Sequence, residues 1–86
     1  MKTNFQMLRE LLEKYHPKKR MFFSEGEPEL IKETLCINEM DILALRNLRD
    51  FVVLFLGNSE DREDMDRMSA ITWCIDDKIC ELGGEV

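Results

Sequence analysis

The stretch NEMDILALRNLRDFVVLFL, residues 38–56, contains the longest uninterrupted apolar run in this 86-residue chain. Its apolar side is spaced by three, four and three residues: Leu45, Leu48, Val52 and Phe55. At about 100° per residue, that spacing lines up one side of a helix. No polar residue interrupts FVVLFL at residues 51–56, so the end of this helix is apolar all round. Such a helix belongs in the middle of a bundle or in a subunit interface.

The alternative interpretation of FVVLFL is a β-strand, because valine and phenylalanine favour extended structure. The helix is preferred, since LRNLRD leads into the run with helical spacing and without a breaker. Gly57-Asn58 then predicts a left-handed residue at the end of the helix. The short turn after it predicts that the next helix folds back antiparallel.

That next helix has the most regular apolar pattern in the chain. Ser59 is its expected N-cap, Glu60 and Asp61 are expected in its first turn, and Gly83-Gly84 ends it. Its apolar stripe alternates by three and four residues: Met65, Met68, Thr72, Ile75, Ile79 and Leu82. We therefore expect these residues to be largely buried: Leu48, Val52, Phe55, Met68, Ile75 and Ile79.

Working outward to the N-terminus, a first helix is predicted from Asn4 to Tyr15, and Pro17 closes it. A short helix is predicted from Glu27 or Pro28 to about Cys36. In the irregular segment between them, MFF at residues 21–23 either plugs the end of the bundle or forms an exposed docking element. The sequence thus predicts an all-α single domain over residues 1–86. Its architecture is a small bundle of three main helices plus a short one, and the last two form an antiparallel hairpin.

The charge is strongly uneven along the chain. The formal net charge is -6, and residues 1–20 contribute +4 while residues 21–86 contribute -10. So acidic a body repels the phosphates of nucleic acids and membranes, which favours a protein partner with a basic surface. Three cysteines without a disulfide pattern, and no apparent secretory signal, predict a reducing, cytoplasmic location.

No motif for catalysis is present. The acidic cluster of residues 60–66 lacks the facing acidic pair of a helical metal site, so a solvated helix start is the preferred interpretation. His16 is the single histidine, and Cys74 and Cys80 are six residues apart, which is unsuitable for a redox or zinc pair. We therefore expect no catalytic residue, no metal ligand, no cofactor and no enzyme activity.

Trp73 is the residue most in need of a functional explanation. It lies about 130° from the centre of the predicted stripe at 100° per residue, on the side of Asp66 and Asp77. Either other parts of the chain or a second subunit cover it, or it anchors a partner protein. The candidate partner-binding residues are Trp73, Asp66, Asp77, Met21, Phe22, Phe23, Glu60, Asp61, Glu63 and Asp64.

The sequence favours a non-enzymatic protein-binding module, an adaptor or inhibitor that acts through its acidic helical surface. Leu43 and Leu54 are eleven residues apart and share a side of the central helix roughly opposite its main stripe. This side, or uncovered surface on the longer last helix, is predicted to be buried in a symmetric homodimer. The alternative is an acidic nucleic-acid mimic, such as a phage-type inhibitor, that blocks a DNA- or RNA-binding protein.

Overall fold

The computed structural model describes residues 2–16 and 26–84. Its elements are α1 (Asn4–Lys14), α2 (Glu27–Thr34), a one-turn 3-10 helix (Ile37–Glu39), α3 (Ile42–Gly57) and α4 (Arg62–Glu81). These ranges contain no strand, so the predicted all-α class is confirmed and FVVLFL is helical. The predicted plug or docking role of Met21, Phe22 and Phe23 falls outside the described residues.

Side-chain caps explain where α1 and α3 begin. The Thr3 hydroxyl accepts a hydrogen bond from the Gln6 backbone N–H at 3.2 Å, and the Gln6 side chain accepts one from Thr3 at 2.9 Å. This reciprocal pair is a capping box, which satisfies two helix-end donors at once. The carboxylate of Asp41 caps α3 by accepting from the Ala44 N–H at 2.8 Å.

The predicted N-cap of the last helix was wrong by two residues. Asp61, not Ser59, caps α4 by accepting from the Glu63 N–H at 2.9 Å. Ser59 instead accepts from the Asp61 N–H at 3.2 Å and donates to the Asp64 carboxylate at 2.8 Å. Its hydroxyl therefore organises the turn before the helix, and the carboxylate takes the cap because it is the stronger acceptor.

The left-handed stop predicted at Gly57-Asn58 was also wrong. Gly57 remains helical, and Asn58 has a φ of -88° while its amide donates to the Leu54 carbonyl at 3.0 Å. That side-chain bond satisfies a carbonyl at the helix end, so no left-handed residue is needed. At the end of α4, by contrast, the helix stops at Glu81, close to the predicted Gly83-Gly84, and Gly83 has a φ of +86°.

Contacts along α3 and α4 support the predicted antiparallel hairpin. Arg49 Nε donates to the Asp76 carboxylate at 2.8 Å near the middle. Toward the turn, a Cβ on Gly57 would lie 3.7 Å from the Met68 sulfur. At the other end, a Cβ on Gly84 would lie 3.1 Å from the Ile42 Cδ1. These contacts are the ones expected when the two helices run in opposite directions.

The buried apolar residues come from every element: Met7, Leu8, Leu11, Tyr15, Ile31, Leu35, Ile37, Leu45, Leu48, Val52, Leu56, Ala70, Ile71, Cys74, Ile75 and Ile79. Four predicted core residues are confirmed: Leu48, Val52, Ile75 and Ile79. Met68 is only partly buried, and Phe55 was wrongly placed in the core because its ring is 41% exposed.

The buried face of α4 is rotated by about 80° from the predicted stripe, at 100° per residue. Met65 and Leu82 are exposed, whereas Ile71 and Cys74 are fully buried. The predicted stripe allowed for packing against one neighbouring helix, α3. Because α2 also packs against α4, the buried face is centred between its neighbours.

None of the described helices is long and apolar enough to cross a membrane.

A candidate protein-binding surface on α4

Trp73 projects from the outward side of α4, and half of its surface is exposed. It lies about 150° from the centre of the buried face, at 100° per residue. Residues on the same side are exposed too: Asp66, Ser69, Asp77 and Cys80. We name these four residues and Trp73 the Trp73 surface. Three of its members, Trp73, Asp66 and Asp77, are predicted site residues that the structure brings to one side.

Ion pairs tie α4 to its neighbours on both flanks of Trp73. On one flank, Asp76 pairs with Arg49 of α3 at 2.8 Å. On the other, Asp77 lies 3.4 Å from the ammonium group of Lys32 of α2. The Trp73 surface therefore lies on a helix that is fixed on both sides, and an anchor residue on a rigid element loses little entropy when it binds a partner.

Burial raises the pKa of two groups beneath this part of the molecule, Tyr15 and Cys74. Burial, followed by the negative charge of Glu27, raises the pKa of the Tyr15 hydroxyl to about 12. Burial likewise raises the pKa of the Cys74 thiol to about 11. Cys74 follows Trp73 in the chain but is fully buried and protonated at neutral pH, so it is not a nucleophile for this surface.

Two acidic residues in the first turn of α4, Glu63 and Asp64, pair with a buried arginine. Arg67 is only 8% exposed, and its guanidinium donates to Asp64 at 2.8 Å and to Glu63 at 3.0 Å. Its Nε donates to the backbone carbonyl of Tyr15 at 3.0 Å. Glu63 and Asp64 are therefore committed to a structural network that joins α4 to the end of α1, and their charge is offset by Arg67.

The structure thus divides the predicted acidic site. Asp61 is the N-cap of α4, and Glu60 is exposed in the turn before it. Neither belongs to the Trp73 surface. The spacing of Glu63 and Asp64 from Arg67, four and three residues, was a signal for these ion pairs. The burial of Arg67 and its bond to a distant carbonyl depend on how α1 packs, which no local pattern shows.

His16 lies at the edge of this network. Its Nδ1 is 3.3 Å from the Glu63 carboxylate and 3.1 Å from the Arg67 guanidinium. The side chain itself is 66% exposed. Among the described residues, no group of three or more His, Cys, Asp or Glu side chains is arranged to hold a metal ion.

A second exposed apolar region lies on α3 and was only partly predicted. Leu43 and Leu54 are the most exposed large apolar residues described, at 69% and 70%. Beside them, the ring of Phe55 stacks on Phe51 and meets Phe5 of α1 edge-on, each at a centroid distance of 5.7 Å. Phe55 therefore belongs to a surface aromatic cluster.

Comparisons with protein-family models, curated proteins and solved structures found no match for this chain. Its functional interpretation therefore depends on the geometry of its own residues.

Proposed function

We propose that this chain is a non-enzymatic protein-binding module, an adaptor or inhibitor, that acts through the acidic Trp73 surface. The proposal includes a homodimeric state and a cytoplasmic location. It includes no catalytic role, no cofactor, no membrane binding and no direct contact with nucleic acid. The half-exposed Trp73 is the observation that supports it most directly.

An exposed tryptophan ring leaves a large apolar area next to water, which a docked partner would remove. Aromatic residues with polar groups at their rim are the usual energetic centres of protein interfaces. Asp66 and Asp77 supply such a rim; Asp77 already lies 3.4 Å from the Lys32 ammonium group, whereas Asp66 is in no ion pair among the described residues. A partner that presents arginine or lysine would gain both rim ion pairs and a cation–π contact with Trp73.

The acidic-mimic alternative requires carboxylates whose charge is available to a nucleic-acid-binding protein. Most carboxylates that the sequence offered for this role are paired within the chain. Glu63 and Asp64 bind Arg67, and Asp76 binds Arg49. These ion pairs reduce the local field, so they favour an aromatic anchor over an imitation of a phosphate backbone.

The proposal is tested with Trp73→Ala. Wild-type and variant chains serve as bait in a lysate of the native host, and retained proteins are quantified by mass spectrometry. A retained protein is then purified and its dissociation constant is measured by calorimetry. We expect Trp73→Ala to weaken that binding by about 30-fold or more, which corresponds to about 2 kcal/mol, and to leave folding nearly unchanged.

Met65→Ala is the matched control, because Met65 is also an exposed apolar residue of α4 but lies outside the Trp73 surface. It should bind within about threefold of wild type. Equal binding by wild type and Trp73→Ala would refute the role of Trp73. A dissociation constant that rises steeply with salt, together with indifference to Trp73→Ala, would support the mimic instead.

A further inference from the structure

We propose that the outward side of α3 binds the same side of a second copy of this chain, with the two α3 helices antiparallel. This inference rests on the homodimer included in the proposed function and specifies where and how its subunits meet. It is independent of the Trp73 surface, which lies on α4.

The surface in question is a stripe of four residues spaced by four, three and four: Leu43, Asn47, Asp50 and Leu54. We name it the α3 seam. At about 100° per residue, the four positions fall within about 60° of one another. All four are exposed in the single chain. The spacing is that of a helix–helix seam, with leucines at both ends and polar residues in the middle.

The seam is complementary to itself in the antiparallel orientation. A twofold axis that passes between the two α3 helices, level with the step from Leu48 to Arg49, places Leu43 opposite Leu54 of the partner subunit. The same axis places Asn47 opposite Asp50 of the partner subunit, where the amide can donate to the carboxylate. A twofold interface repeats each contact, so both leucine pairs and both polar pairs form together.

Charge complementarity favours this orientation over a parallel one. Arg46 lies on the flank of the seam that also carries Asp50. A twofold axis perpendicular to the helices places this flank of one subunit beside the same flank of the other. In the antiparallel pair, Arg46 therefore lies within about one residue rise, 1.5 Å along the axis, of Asp50 of the partner subunit. A parallel pair would instead bring the two Asp50 carboxylates to the same level of the seam and would place the two Arg46 side chains on opposite flanks, away from them, so the aspartates repel without a compensating charge.

The seam is also suited to self-association despite the net charge of -6. Each copy contributes one arginine and one aspartate to the contact, so the interface is locally neutral. The seam is short, about 16 Å from Leu43 to Leu54 at 1.5 Å per residue. This strip is smaller than the roughly 800 Å² per subunit of a standard interface, so we expect a reversible dimer in the micromolar range.

The first experiment measures mass by sedimentation equilibrium of the full chain over about 1 to 500 µM. Wild type should change from monomer to dimer across this range. Leu54→Glu, a change at a 70% exposed side chain, should raise the dimer dissociation constant by at least about tenfold. Met65→Glu introduces the same charge on α4, outside the seam, and should leave the dimer dissociation constant within about threefold of the wild-type value. Circular dichroism confirms that each variant is folded.

The second experiment exchanges the charges. Arg46→Asp alone brings two aspartates together in each contact, and Asp50→Arg alone brings two arginines together. Each single variant should dimerise at least about tenfold more weakly than wild type. An equimolar mixture of the two should recover dimerisation to within about threefold, because every contact then joins an aspartate to an arginine. Recovery also shows that both variants are folded.

The outcomes separate this inference from the proposed function. A wild-type monomer at every concentration would overturn both the α3 seam and the homodimer, whereas the Trp73 test would stand. A dimer that is indifferent to Leu54→Glu and to the charge exchange would overturn the seam alone. Recovery in the mixture, together with loss in each single variant, would support it.

Discussion

The two ends of the α3–α4 hairpin are fastened by different kinds of interaction. At the turn end, buried Arg67 joins Glu63 and Asp64 of its own helix to the carbonyl where α1 finishes. At the open end, Ile42 and Ile79 close around the backbone of Gly84, where an added Cβ would lie 2.7 Å from the Ile79 Cγ2. One end is polar and directional, and the other is apolar and close-packed.

The polar end mainly fixes the position of α1, whereas the apolar end mainly contributes to the free energy of unfolding. Hydrogen bonds to a guanidinium require a fixed geometry, so the turn end specifies where α1 stops relative to α4. Their net contribution to stability is limited, because the same groups are well solvated when the chain is unfolded. Apolar packing has no preferred direction but removes area from water, so it contributes more to the free energy of unfolding.

The largest expected effect comes from the apolar packing. Ile75 is fully buried, so Ile75→Ala should lower the free energy of unfolding by about 2–5 kcal/mol through lost burial and a cavity. Ile75→Val, which removes one methylene, should cost about 0.5–1.5 kcal/mol. Urea denaturation measures both. A loss below about 1 kcal/mol for Ile75→Ala would show that this face of α4 is not the core.

A smaller effect is expected at the polar end. Arg67→Met keeps much of the side-chain volume but leaves Asp64, Glu63 and the Tyr15 carbonyl without their donor. Since the two carboxylates remain partly exposed to water, we expect a loss of about 1–3 kcal/mol. Hydrogen exchange should rise most at the end of α1.

Arg62→Met is the control for that change, because Arg62 is an exposed arginine at the start of the same helix. Its effect should stay within about 0.5 kcal/mol. If Arg67→Met were equally silent, or if its faster exchange were spread evenly over the chain, the network would not be what positions α1.

The smallest effect concerns Tyr15, whose side chain is buried next to this polar end. Burial, then the charge of Glu27, raises its pKa from 10.0 to about 12. The raised pKa means that the native state holds the phenolic proton more tightly than the unfolded chain. This contribution is complete below pH 10 and is lost as the pH rises toward 12.

Wild type should therefore lose about 1–2 kcal/mol more than Tyr15→Phe between those two pH values. Urea titrations of both proteins across the range measure this difference, and lysine or cysteine titration cancels in the comparison. Parallel profiles would show that the hydroxyl ionises as easily in the native protein as in the unfolded one.

Local sequence predicted the features that local sequence controls. Leu48 and Val52 are buried as predicted, because a stripe needs only a few neighbouring residues of one helix. Phe55 and the face of α4 were misplaced because their burial depends on several packed elements at once. A helical wheel of one segment cannot show how many neighbours will cover it.

In the candidate site, too, local sequence predicted some features, and others depended on the packing of distant residues. The exposure of Trp73 was predictable, because a residue far from every apolar stripe of its helix faces outward. The separation of Asp66 from Glu63 and Asp64 was not, although the three lie within one turn. It depends on Arg67 reaching the carbonyl of Tyr15, fifty-two positions away in the chain.

The apolar run FVVLFL has a consequence for how the chain must fold. Six uncharged residues with high β propensity are typical of segments that assemble into aggregates when they are extended. The partner of this run is α4, which begins after a turn of only residues 58–61, so these contacts are close in sequence and form early. Asp50 and Gly57, which border the run, are a charge and a weak strand former that discourage extended stacking. Closure of the hairpin thus covers the buried side of this run, Val52 and Leu56, through contacts that are close in sequence.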